Sequence, residues 1–427
     1  KKEMKIQQYD ILHKDFKNLY KYYNHAQLVK FFKTGISLYM IFRISKAPND
    51  IKAFKWEISE DNSLKYIDAR SDHEIKYPTQ QEFTWKKTSR EEQRKGIHPH
   101  ISIENKIFVE TIGGDLTIKI EDNTNSGKGI YAEPVDNPSQ TLDDAEFNYA
   151  IIDNLIVLKI KPYQEKDYRY LVYNEKIQEV KRIDALKESC IFLPESHGII
   201  FANGYYLQTG EYKLFDHDLT NLLFEKRIPS PNGEDFLFVF YNIEQGTYLL
   251  LSYNIIEQTI ATPIICHGYS IFDNGQLCYF KADEEAKKHH SIQIWQTPYV
   301  HADYEIETSK DSYLYKIGNK DIVRAMANCY TIINLLEKDD SYNNLYFDIL
   351  KQTNDILDKY YWLKNEEAFN LASPIDEIKN TAKSAIDEFE KVVAIRKNTN
   401  EQIALTTEKT DDLINEIGRS TPKHINE

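Results

Sequence analysis

From Ile36 to about Ile306 the chain is written in short apolar runs: SLYMIFRI, KIFVETI, LTIKI, AIIDNLIVLKI, YRYLVY, DFLFVFY and TYLLLSY. They are rich in Val, Ile, Tyr and Phe, too short for helices, and divided by turn residues, which marks them as strands. Asn203-Gly204, Asn232-Gly233 and Asn274-Gly275 are the strongest hairpin signals among them. Ahead of this text, Leu19, Tyr22, Tyr23, Leu28, Phe31 and Phe32 fall at helical spacing. They predict one or two short helices in an N-terminal lead, residues 1–34.

Within the strand-like text one phrase returns. LVYNEKIQEV, KLFDHDLTNL and LSYNIIEQTI each carry an aromatic, then Asn or Asp, then an aliphatic residue. The aromatics Tyr173, Phe215, Tyr253 and Trp295 are spaced by 42, 38 and 42 residues. A four-stranded antiparallel sheet with its turns needs roughly 40 residues, and such sheets arranged radially make a β-propeller. The polar residue falls at a strand end, where Asn or Asp bonds its own backbone and starts a turn. Residues 35–310 therefore read as a propeller of six or seven blades, with a β-sandwich or two unrelated β domains as the plainer alternative.

From about Asp321 the period changes. Ile322, Met326, Cys329, Ile333 and Leu336 step by three and four, the seam of packed helices. Leu345, Ile349, Ile356, Tyr360 and Leu363 continue it, with a polar gap at Thr353. A third helix is expected to open with Ser373 as N-cap, Pro374 at the first position and Asp376 completing a capping box. Its seam is Ile375, Ile378, Ala382, Ala385, Phe389 and Val392, and nothing breaks it before Gly418. Residues 318–427 thus form a helical, coiled-coil-prone domain whose last part, beyond Ala394, wants a partner.

Composition narrows the function classes. The 427 residues carry a formal charge of −14, so the averaged field repels phosphate and direct nucleic-acid binding is unfavourable. The basic stretch WKKTSREEQRK, from Trp85 to Lys95, is diluted by Glu91 and Glu92 and reads as a solvated surface. No run reaches the roughly 18 apolar residues of a membrane helix, and KKEMKIQQYD has no apolar core for a signal, so a cytoplasmic location is expected. Cys190, Cys266, Cys278 and Cys329 are far apart without a C-x-x-C pair and read as reduced thiols. A chain that starts at Lys1 and stops at HINE also reads as a segment of something longer.

The search for chemistry is largely negative. NTNSGKGIY resembles a phosphate loop, but Asp122 stands where the first glycine belongs and Gly129 where the magnesium-binding hydroxyl belongs, so it reads as a turn. Neither G-x-S-x-G nor H-E-x-x-H occurs. His98 and His100, two residues apart, could face one way from a strand, with His73 as the nearest third metal ligand. Hydrogen-bonded histidines are the favoured reading, and no catalytic, cofactor or metal residue is assigned. The acidic cluster Glu121, Asp122, Asp143 and Asp144 lacks a calcium-loop spacing and reads as solvent-facing. A propeller enzyme would have to draw on Asp72, His73, His98 and His100 in a central channel.

The text RSDHEIKYPTQQEFTWKKTSREEQRKGIHPHISIENKIFVETIGGDLTIKIEDNT, with GIYAEPVDNPSQTLDDAEF, YYLQTGEYKLFD, SPNGEDFLFVFY, ATPIICHGYSIFDNGQLCYF and IWQTPYV, resembles a large bacterial family named DNA repair ATPases. The likeness continues through IVRAMANCYTIINLLEKDDSYNNLYFDIL and DEFEKVV, so it covers nearly everything after Gly35. It implies a longer protein with an AAA-type ATPase module, which would bring ATP and magnesium, towards the C-terminus. With no Walker A lysine, this sequence matches the part outside that module. The resemblance implies a recognition or regulatory portion. Its partners would be proteins: the chain's own ATPase module, or a second copy, engaged through the last helix.

Overall fold

The computed structural model describes residues 6–7, 9–45, 50–61, 63–75, 78–216, 219–282, 289–301, 312–337 and 345–419. The chain divides into two compact units, the first of residues 1–231, 235–254 and 259–304, the second of residues 232–234, 255–258 and 305–427. Ile306, the expected end of the β text, lies outside the described residues.

Among the described residues, six sheets follow one another in the first unit. The first sheet holds β1 (Ile6–Gln7), β2 (Gln27–Thr34), β3 (Ser37–Arg43), β4 (Ile51–Ile58) and β5 (Leu64–Asp68), and helix α1 (Tyr9–Tyr22) covers one face of it. β6 (Lys86–Lys87) belongs to the third sheet. β7 (Gln93–Arg94), β8 (His100–Ile103), β9 (Ile107–Glu110), β10 (Asp115–Lys119) and β11 (Tyr131–Pro134) form the second. β12 (Glu146–Ile152), β13 (Leu155–Lys161), β14 (Arg169–Asn174) and β15 (Glu179–Arg182) complete the third. The fourth is β16 (Ile191–Phe192), β17 (Gly198–Phe201), β18 (Gly204–Leu207) and β19 (Tyr212–Leu214). The fifth is β20 (Leu223–Pro229), β21 (Asp235–Asn242), β22 (Thr247–Asn254) and β23 (Thr259–Ile260), with β24 (Ile264–Cys266) also paired to β22. The sixth is β25 (Gly268–Ile271), β26 (Gln276–Phe280) and β27 (Ile292–Gln296).

Sequence neighbours pair antiparallel, so the sheets are built as local meanders, to which β1 adds in parallel beside β5 and β6, from ahead of the second sheet, beside β12. The third sheet shows why its text is a nearly continuous apolar run. Ile156, Leu158 and Ile160 of β13 pack on Ile103, Val109 and Ile118 of the second sheet, while Leu155 and Val157 face Ile199 and Phe201 of the fourth. A sheet covered on both faces needs apolar residues at every position, not every second one. Each Leu or Ile so buried contributes roughly 1.5–3 kcal/mol. The fifth and sixth sheets share a core of Leu237, Val239, Leu250, Leu277 and Tyr299.

The repeated phrase is structural in two of its four places. Tyr173 and Tyr253 both sit on the third strand of a sheet, opposite Val180 and Ile260 of the fourth. Asn174 and Asn254 end those strands, and Gln178 and Gln258 take the same left-handed conformation in the turns that follow. Asn174 works as its residue type suggests, its Oδ1 accepting from the Lys176 backbone N–H at 2.9 Å. Phe215, by contrast, follows β19 and occupies no strand; the third-strand aromatic there is Tyr206. Trp295 is on a third strand, but β27 is exposed along its length.

The N-terminal expectation is half corrected. Residues 9–22 are helical, whereas Leu28, Phe31 and Phe32 belong to β2, which turns back through Gly35 to pair with β3.

The second unit contains α2 (Tyr313–Ile317), α3 (Asn319–Leu336), α4 (Leu345–Lys359) and α5 (Ala372–Arg419). On α4 the expected seam is buried at Leu345, Ile349 and Ile356, and Thr353 is buried within it, its hydroxyl donating to the Ile349 carbonyl at 2.8 Å. On α3 the seam is rotated by one residue. Val323, Ala325, Ala327, Ile332 and Leu335 are buried, while Met326, Ile333 and Leu336 face outward. Helix α5 already includes Ser373, so that residue is not its N-cap. The buried face of α5 ends at Ile386, and Phe389, expected in the core, is 65% exposed.

Candidate functional site

The histidines singled out in the sequence go to two separate places. His73 and Asp72 stand on a short turn after β5, where Asp72 Oδ2 pairs with Lys52 Nζ at 2.6 Å and His73 Nδ1 is 3.2 Å from the Arg70 carbonyl. His98 and His100 lie at the start of β8. The fully buried His100 has its Nε2 2.8 Å from Asp122 Oδ1, and its ring meets Phe108 edge-on at 5.0 Å. His98 Nδ1 is 3.5 Å from Glu110 Oε1. The four side chains a channel enzyme would need therefore do not converge. Among the described residues no three His, Cys, Asp or Glu side chains gather to hold a metal.

Glu110, which His98 approaches, belongs to a buried polar knot under the loop between β10 and β11. Lys119 Nζ reaches Glu110 Oε2 at 2.7 Å, and both side chains are almost wholly enclosed. The same ammonium donates to the carbonyls of Ser126, at 2.5 Å, and Asn123, at 3.2 Å. This accounts for the phosphate-loop look-alike. A Cβ on Gly127 would lie 2.8 Å from the His98 ring, and one on Gly129 would lie 2.2 Å from the Ile118 carbonyl. The glycines sit where a side chain would collide, and the Asn123 and Ser126 carbonyls are turned onto an internal cation, so Ser126–Gly129 is a closed turn.

The charged stretch from Trp85 is similarly occupied. Lys86 pairs with Glu104 at 2.9 Å, and the hydroxyl of Tyr149 and this carboxylate hold its ammonium above the ordinary lysine value. Arg94 faces Asp122 at 3.6 Å and Arg90 faces Asp143 at 3.8 Å. Asp144 closes a capping box with Thr141. Cations matched to local carboxylates are not an open phosphate track. Cys190 and Cys266 are buried free thiols, and burial pushes Cys266 up to about 11.

A cleft that the sequence did not point to lies within the first unit. It has a volume of about 710 Å³ and is framed by β2, by Glu74, Ile75, Pro78, Thr79 and Gln80, and by β20 and β21. β2 and β20 are each the terminal strand of their sheet. Both carry a bulge: the pairing skips Val29 between Leu28 and Lys30, and Glu225 between Phe224 and Lys226. A bulge re-aims the side chains beside it. Here Lys30 Nζ and Glu225 Oε1 form an ion pair across the cleft. Oε2 of Glu225 is buried and accepts no hydrogen bond from the described residues. Lys30 also stands 5.8 Å from the Tyr241 ring centre. The doublet Phe31-Phe32, read at helical period, was the available signal; its alternation about the strand was the overlooked alternative.

In the second unit, apart from outward residues of the shorter helices such as Met326, Ile333 and Phe347, a long exposed series of apolar residues lies on α5. Beyond Ile386 every residue to Ile417 is exposed, and Phe389, Val392, Ile403, Leu413 and Ile417 are among them. They fall on the three-four stepping of Ile375, Ile378 and Ala382, which is interrupted by Arg396, Thr399, Thr406 and Thr410, while Val393, Ile395, Leu405 and Ile414 are exposed off it. Among the described residues no helix is long and apolar enough to cross a membrane.

A family profile described as "ATPase involved in DNA repair" matches residues 1–361. No curated protein matches the sequence. Among solved structures, the chain is similar to dihydro-heme d1 dehydrogenase NirN, with 9% identity, a TM-score of 0.16, and coverage of 56% of this chain and 47% of that one. It is similar to an acylaminoacyl peptidase from Pyrococcus horikoshii, with 10% identity, a TM-score of 0.18, and 64% and 52% covered. It is also similar to an oligogalacturonate lyase in complex with manganese, with 8% identity, a TM-score of 0.17, and 67% and 87% covered. The chain spans about half the length of the first two. Scores this low establish neither a shared fold nor a shared chemistry.

Proposed function

Because this chain belongs to the family described as "ATPase involved in DNA repair", we propose that it is the recognition or regulatory portion of an ATPase machine. Its six sheets serve as the blades of a propeller-type interaction platform, and α5 connects to the ATPase module. Successive local meanders, one of them covered on both faces by its neighbours, support the blade reading. The observation that carries the functional reading is α5 itself. Its 48 residues extend about 72 Å at ~1.5 Å per residue, and only the first part is covered by the bundle. Large apolar residues kept in one phase along an uncovered helix are what a docking helix requires.

ATP hydrolysis is then assigned to a module that this chain contacts, with magnesium bound there. The closed Ser126–Gly129 turn supports that assignment. Calorimetry of the purified chain with Mg-ATP tests it: no saturable heat is expected, and micromolar binding would overturn the reading. The partners are proteins, and the −14 charge supports their being reached without direct contact to nucleic acid.

A further inference from the structure

The two edge strands of the cleft are finished differently. On the β20 edge, the Asn221 and Leu222 backbone N–H groups donate to the Glu188 carboxylate at 2.9 and 3.0 Å. The Gln80 side-chain amide then meets Phe224 as a strand would, accepting from its N–H at 2.7 Å and donating to its carbonyl at 2.9 Å. The start of that edge, through Phe224, is thereby closed to another strand. On β2, away from β3, the described backbone offers one contact, the Val29 carbonyl accepting from the Tyr241 hydroxyl at 3.5 Å. Eight residues of edge strand stand otherwise open, with Leu28, Phe31 and Phe32 exposed. An open edge bearing large apolar side chains is a template for another strand.

We propose that the cleft receives an extended peptide segment of a partner protein, added as a strand to the β2 edge. The peptide places an apolar side chain against Phe32, Phe224 and Tyr241 and sets a lysine or arginine on the free oxygen of Glu225. Backbone pairing supplies affinity, and the side-chain pocket supplies selection. The volume suits a few side chains, being within the roughly 300–1,000 Å³ of ordinary ligand sites. Glu225 explains the preference for a cation: Lys30 occupies one of its oxygens, and the other, enclosed, accepts from none of the described residues. The proposal rests on the platform reading and deepens it by naming the strand, the pocket and the class of partner.

The test uses the full chain and a phage-displayed library of random ten-residue peptides. The best binder is synthesised with a fluorescein label and titrated by anisotropy. Binding is expected to weaken by roughly tenfold or more in Phe32→Ala and in Glu225→Gln, as for a central anchor, and to change less than about twofold in Phe31→Ala. Methylating alternate backbone nitrogens of the peptide should abolish binding in one register and spare it in the other. Phe32 is partly exposed, so its variant folds; should Glu225→Gln not fold, Phe32→Ala and the two methylated peptides decide the matter. The assignment is overturned if no peptide is selected, if neither methylation register matters, or if β2 instead pairs two copies of this chain in sedimentation. Hydrogen-exchange protection on α5 rather than on residues 27–34 would refute the cleft while leaving the platform reading in place. The platform reading itself fails only if α5 also stays idle towards the ATPase module.

Discussion

The Nδ1 of His197 lies 2.8 Å from the hydroxyl of Tyr253, joining the loop ahead of β17 in the fourth sheet to β22 in the fifth. Burial lowers His197 to about 4 and raises Tyr253 well above its usual value. The phenol therefore keeps its proton and donates it to a neutral imidazole.

This pair gives stability a pH dependence. The unfolded chain binds a proton at an imidazole near 6.5 while the folded chain resists it down to about 4. Stability is thus complete above 6.5 and drains as pH falls towards 4, by up to roughly 2–3 kcal/mol from this group. Urea melts at several pH values, with wild type compared to His197→Gln, should show that loss in the wild type and a smaller one in the variant. Parallel curves would contradict the account.

The end of the buried face on α5 predicts a contrast between neighbours. Ile386→Ala should cost about 2–4 kcal/mol, as expected for a buried aliphatic, whereas the exposed Phe389→Ala should stay within about 0.5 kcal/mol. Denaturant titrations of the second unit's transition measure both.

How far the sequence could be read follows from such pairs. Sheet text, the α4 seam with its polar gap, and the long helix were legible because large apolar residues mark them. The α3 seam was displaced because Ala325 and Ala327, small enough for close helix approach, carry its buried face while larger Met326 and Ile333 do not. Phe389 and Ile386 fall three apart, so either could carry the stripe, and only packing against α4 chooses. Leu28, Phe31 and Phe32 satisfy a helical period over too few residues to exclude a strand. The cleft depends on bulges at Val29 and Glu225 that bring Lys30 and Glu225, 195 positions apart, together, and no local pattern announces that pairing.

The polar knot under the β10–β11 loop predicts a large effect from a small change. Glu110→Gln leaves the Lys119 ammonium enclosed without its carboxylate, and should destabilise the chain by about 3–5 kcal/mol. A thermal melt reads this directly.

The same loop separates packing from phosphate binding. Gly129→Ala would drive its Cβ towards the Ile118 carbonyl and should cost about 1–3 kcal/mol. Because the turn holds no nucleotide in this account, calorimetry with Mg-ATP should give the same flat trace for wild type and variant.

The most direct test of the central claim is amide hydrogen exchange along α5, in the chain alone and with the ATPase module added. Residues 372–386 should exchange slowly in both states, being held by the bundle. Residues 387–419 should exchange fast alone and become protected when the module is added, losing that protection in Leu413→Asp. Protection of 387–419 in the isolated monomer, or no change on adding the module, would contradict the claim that this helix carries the connection.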